Sequence, residues 1–135
     1  MPRFLTDLER GTPQQVYRAD GFADMRQSPV PLWELVDMRR YASLAVQCFR
    51  GCPFDCEFCN ITALLGRTPR TKSAEQVVAE LDRIYSLGWR GSVFFVDDDL
   101  IGDRRAAKNE LLPALTEWRK DEVGIIFSTQ VSINL

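Results

Sequence analysis

Cys52, Cys56 and Cys59 stand in C-x-x-x-C-x-x-C order, and all four cysteines of the chain fall between Cys48 and Cys59. Thiolates bind iron–sulfur clusters and zinc, and spacings this short let one loop wrap a single inorganic centre. Three thiolates on a four-iron cluster leave one iron without a protein ligand, and an open metal position is where a substrate or cofactor can bind. A zinc site closed by Cys48 as fourth ligand is the other reading, because structural zinc is four-coordinate. Against zinc, its ligands usually arrive as two knuckles from separated segments. Cys48 also sits inside a strand-like run, where a free cysteine packs as a small hydrophobe. Histidine is absent. That removes the usual general base and the commonest neutral metal ligand, so chemistry must come from the cysteines, carboxylates or a bound cofactor.

A second candidate group is the acidic run Asp97-Asp98-Asp99, which follows the apolar stretch Ser92 to Val96. Carboxylates at the carboxyl end of a strand face the ligand side of an α/β sheet. The same residues could instead cap the helical pattern that resumes after Gly102.

The elements that must position these groups alternate. Ser43 to Phe49 reads as a strand that ends where the cysteine loop begins. Asn60 to Leu65 suits a helical turn, and Gly66 to Lys72 a solvated basic loop with Arg67, Arg70 and Lys72. Ser73-Ala74-Glu75-Gln76 matches a capping box and opens a helix whose Val77, Leu81, Ile84 and Tyr85 share one face. Ser92 to Val96 has the composition of a buried parallel strand. From Asp103 to Lys120 a second helical pattern presents Leu111, Leu112, Leu115 and Trp118, with a kink or two abutting helices expected at Pro113. Gly124 to Ser128 forms a third strand. Strand, helix, strand, helix, strand implies right-handed parallel βαβ units. Residues 1–31, punctuated by Pro2, Pro13, Pro29 and Pro31, read as an extended arm or linker, and residues 32–135 as the folded core.

Composition narrows the function classes. Of 135 residues, 17 are basic and 19 acidic, a formal net charge of −2. No basic surface for nucleic acid is expected from that balance. No apolar run is long enough to span a bilayer, and the charged stretch Met1 to Arg10 does not suit a signal peptide. The expected location is the cytoplasm, where clustered cysteines point to metal or redox chemistry rather than disulfides.

C-x-x-x-C-x-aromatic-C, with Phe58 as the aromatic, resembles the signature of the radical S-adenosylmethionine (radical SAM) enzymes. The wider run Arg50 to Ile61, and later Trp89 to Asp99, is similar to the branch that often carries an N-terminal cobalamin-binding domain and includes hopanoid methylases. The resemblance runs from about Pro31 onward. It implies a 4Fe–4S cluster on Cys52, Cys56 and Cys59, and one-electron cleavage of S-adenosylmethionine to a 5′-deoxyadenosyl radical. It places Phe58 near the adenine and Asp97 or Asp98 against the cofactor's amino group. Gln130 stands where the resembling proteins tend to carry glutamate. The implied fold is the N-terminal half of a partial (βα)6 TIM-like barrel, about three parallel strands with crossover helices. A complete eight-fold barrel needs about 250 residues, so the chain is expected to be a fragment, inactive alone. A small-molecule or lipid substrate, an electron donor such as flavodoxin or ferredoxin, and cobalamin held by a domain outside this chain are the implied partners. Methyl transfer is the expected reaction. Other radical SAM chemistries, such as a methylthiotransferase or cyclase, and a zinc-stabilised four-cysteine binding module are the alternatives.

Overall fold

The computed structural model describes residues 2–19 and 21–132. Three parallel strands, β1 (Ser43–Val46), β4 (Ser92–Phe95) and β5 (Ile126–Thr129), form a sheet in that spatial order. Ser43 pairs with Ser92 and Ser92 with Ile126, and the register holds to the strand ends, where Val46, Phe95 and Thr129 lie side by side. A separate antiparallel ribbon joins β2 (Phe49–Arg50) to β3 (Arg70–Thr71). The expected α/β class and parallel sheet are thus present.

Both long crossovers advance the sheet in one direction. Right-handed connections then place their helices on the same face. Helix α3 (Ala74–Ser86) and helix α5 (Leu112–Asp121) do lie together: Tyr85 and Trp118 meet edge to face at 5.9 Å, and Trp118 Nε1 donates to Asp82 Oδ1 at 2.7 Å. Helices on one face only is the geometry of a barrel wall rather than of a doubly wound sheet. The burial expected of the Ser92 to Val96 strand holds for alternate residues. Val93 and Phe95 are buried while Ser92 and Phe94 are half-buried.

The core sits between sheet and helices. Leu44, Val46, Val93, Phe95 and Ile125 meet Val77, Leu81 and Ile84 of α3 and Leu111, Leu115 and Trp118 of the second crossover. The capping box forms as expected, with Gln76 N donating to Ser73 Oγ and Ser73 N to Gln76 Oε1.

Two expectations change, and the interruption expected at Pro113 takes a definite form. Pro2–Glu9 is a helix, α1, inside the segment expected to be extended; proline suits a first helical turn, where its missing N–H is not needed. Leu112 is 47% exposed and leaves the apolar face. The disturbance at Pro113 is a run of π-type turns over Ala107–Leu111, between the short helix α4 (Arg104–Ala106) and α5. The proline ring would collide with the carbonyl four residues earlier, and widening the preceding turn makes room for it. Among the described residues no helix is long and apolar enough to cross a membrane.

Candidate functional site

The cysteine loop leaves the sheet beyond β1 and is closed at its root by the β2–β3 ribbon, where Arg50 faces Arg70. Inside it lies the short helix α2 (Ile61–Leu65). Gly51 opens the loop at φ +99°, and a Cβ there would stand 2.9 Å from the carbonyl oxygen of Thr68 and 3.1 Å from that of Gly66. Only glycine combines that backbone angle with so close an approach. Cys52 N donates to Gly66 O at 3.2 Å, and Cys59 N to Cys56 O at 3.0 Å. Cys52 and Cys59 are half-buried, Cys56 is exposed, and all are free thiols. Phe58 is 94% exposed, so it does not pack beneath the loop.

Cys48 belongs to the core instead, 1% exposed. Burial first, and the Asp97 charge next, push its thiol well above the usual range. The thiols that are at least partly accessible are Cys52, Cys56 and Cys59. Their chemistry fits a three-thiolate iron–sulfur or zinc centre. Their side chains are not gathered, however: among the described residues no three His, Cys, Asp or Glu groups converge as a metal site.

The acidic run stands beside the root of this loop. Asp97, 2% exposed, accepts the amide hydrogens of Cys48 at 2.8 Å and Phe49 at 2.5 Å through Oδ1. Its Oδ2 is buried with no partner among the described residues, as are Oδ2 of Asp98 and of Asp99. Asp99 Oδ1 accepts from Ile101 N and Ser132 N, both at 3.2 Å. The following helix is capped by none of these. Asp103 caps it, accepting from Ala106 N at 3.0 Å. Buried carboxylate oxygens are normally satisfied, and unpaired ones mark places where water or a cation can bind. Gln130 is exposed just past β5, and its carbonyl accepts from Leu100 N at 3.3 Å. The carboxyl ends of the three parallel strands therefore carry Cys48 with the cysteine loop, Asp97, and Gln130 along one edge of the sheet.

Asp97 is pushed up to about 6, chiefly by burial, with the Phe49 and Cys48 amides opposing and Asp98 adding to the rise. Since the folded value lies above the ordinary one, protonation favours the folded state. That contribution is complete below about pH 4 and is lost as pH rises through about 6.

Two residues escaped the sequence reading. Lys72, expected in a solvated loop, is half-buried with its side chain turned inward to an ion pair with Glu80, the two side chains 8% and 3% exposed. The Lys72 amide also donates to the Cys48 carbonyl at 2.9 Å. Glu80 lies three residues past Val77 and four before Ile84, on the apolar face of α3. That placement was the available signal.

The chain is 44% identical to an uncharacterized methyltransferase of Synechocystis sp. over 136 aligned residues, covering all of this chain and 25% of that protein. It is similar to proteins named methyltransferases and methylases. The hopanoid C-2 methylase of Rhodopseudomonas palustris is 46% identical over 84% of the chain and 21% of its own length. The hopanoid C-3 methylase of Methylococcus capsulatus is 34% identical over 58% of the chain and 16% of its own length. The chain thus spans about a quarter or less of these curated relatives. No protein-family model matches it.

Proposed function

We propose that this chain forms the cluster-binding and S-adenosylmethionine-binding part of a radical SAM methyltransferase. The observation that carries the reading is the pairing of one loop bearing Cys52, Cys56 and Cys59 with a buried carboxylate, Asp97, whose second oxygen has no partner among the described residues. The named methylases among its relatives supply the reaction class. Cys52, Cys56 and Cys59 would hold a 4Fe–4S cluster. The chemistry supplied by the bound cluster and S-adenosylmethionine is one-electron cleavage of the sulfonium. The protein's own residues bind and orient. Asp97 or Asp98 takes the cofactor's ammonium group, Phe58 offers its exposed ring to the adenine, and Gln130 borders the site from β5. The methyl acceptor is a small molecule or lipid, a flavodoxin or ferredoxin provides the electron, and any cobalamin is held outside these residues.

Metal analysis of protein prepared without oxygen tests the reading. Iron and acid-labile sulfide, about four of each per chain, are expected. Zinc without sulfide would replace it with a zinc-stabilised module.

Asp97→Asn separates binding from stability. The amide oxygen can still accept from Cys48 and Phe49, so the cluster should assemble. Loss of the charge should weaken S-adenosylmethionine binding roughly ten- to a hundred-fold, the worth of a charge-assisted hydrogen bond. Above pH 6 the variant should melt higher than wild type, because a buried carboxylate no longer has to ionise; below pH 4 that advantage should vanish. Titration calorimetry and melts at several pH values read both. Unchanged affinity would remove Asp97 from the cofactor site.

A further inference from the structure

Residues 21–28, in the arm ahead of the core, lie against the far end of the cysteine loop. The ring of Phe22 covers Gly66 so closely that a Cβ on that glycine would meet Phe22 Cε2 at 2.7 Å. Arg70, in β3, lies over the same ring, its guanidinium carbon 4.5 Å from the centroid. Its two terminal nitrogens donate to the carbonyls of Ala23 at 3.1 Å and Leu65 at 2.6 Å, one on each side of the junction. Further along, Met25 is buried at 3% exposure. Gln76 Nε2 donates to the carbonyls of Arg26 and Ser28, each at 3.0 Å. Gln76 is the capping-box residue of α3, so the segment is moored to the start of the first crossover helix.

The decisive contact is one bond further in. Gly66, the glycine that Phe22 covers, supplies the carbonyl that accepts the Cys52 amide. Phe22 and Arg70 therefore bear on the backbone position of the first loop cysteine without touching it. We infer that residues 21–28 are a strap that fixes Cys52, with Phe22 and Arg70 as its positioning residues. A cation–π contact and two charge-assisted hydrogen bonds meet at one point, an arrangement that long flexible linkers do not need. The bearing of the strap on metal capture rests on the function proposed above; its bearing on the Cys52 amide does not.

Amide exchange measured by NMR on the metal-free chain tests the strap directly. In Phe22→Ala and in Arg70→Met, the Cys52 amide should exchange about ten-fold faster than in wild type, through easier local opening. The Leu81 amide in α3 should keep its rate. Phe22→Tyr, which retains the ring, should keep the wild-type rate at Cys52. Phe22 is 57% exposed, so the alanine change leaves the core intact. No acceleration at Cys52, or an equal one at Cys52 and Leu81, overturns the strap. After anaerobic reconstitution, Phe22→Ala should also lose iron to a chelator faster than wild type or Phe22→Tyr. A wild type that takes up no iron would sink the cluster reading, while the exchange rates would still decide the strap.

Discussion

Serine at Cys52, Cys56 or Cys59, one change at a time, is expected to abolish iron and sulfide uptake, whereas Cys48→Ser leaves most of it. The three loop thiols are free and at least partly accessible, and together they supply every thiolate that the proposed cluster takes from the protein. Losing one leaves two. Cys48 is not expected to step in, since it lies in the core at 1% exposure. Iron and sulfide content per chain, with the absorbance of the reconstituted protein, reads the result. Equal iron loss in Cys48→Ser would place Cys48 among the ligands and reopen a four-thiolate zinc site. Serine at a buried cysteine carries a modest stability cost, so a melt of each variant should accompany the metal analysis.

Breaking the buried pair by Glu80→Ala should lower unfolding free energy by about 3–5 kcal/mol, because a Lys72 charge is left in the interior. Against a total of roughly 5–15 kcal/mol for a domain, that is a large share. Lys72→Met should be at least as damaging. Lys72 is the cation that tempers both Asp97 and Cys48, and without it Glu80 and Asp97 are two buried acids. The double change Lys72→Met with Glu80→Leu should recover much of the loss, since neither charge is then stranded. Urea unfolding at neutral pH measures all three. Single changes costing under about 1 kcal/mol would mean that water reaches the pair and that the site root is softer than its burial indicates.

What could be read from the chain depended on how far apart the partners are. The capping box at Ser73 and Gln76 and the apolar face of α3 involve neighbours within one or two turns, so spacing alone exposes them. The order of strands and helices followed for the same reason. The clasp of Asp97 on the Cys48 and Phe49 amides joins positions 49 and 48 residues apart. No local pattern distinguishes that carboxylate from Asp98 or Asp99. Lys72 looked like part of a solvated basic loop because its partner lies on the next helix. The arm was read as extended because prolines punctuate it, yet proline at the first turn of α1 is harmless, and what anchors Phe22 is Arg70, far along the chain. For the cysteines, spacing identifies the donors. It says nothing of how they are brought together, and the loop alone does not gather them.

The long separation between Cys48 and Asp97 also sets an order in time. A ribosome adds about 5–20 residues per second, so the 49 residues between them take roughly 2–10 seconds to make. For the last 38 of those residues, roughly 2–8 seconds, all three loop thiols already exist, but the carboxylate that seats the loop's root does not. Parallel pairing of β1 with β4 must wait as well, and such long-range closure is slow. Newly made thiols are thus exposed to oxidant and to competing zinc before the loop is seated. For the proposed cluster, oxygen exclusion and iron supply should therefore begin during synthesis in the cell, ahead of purification.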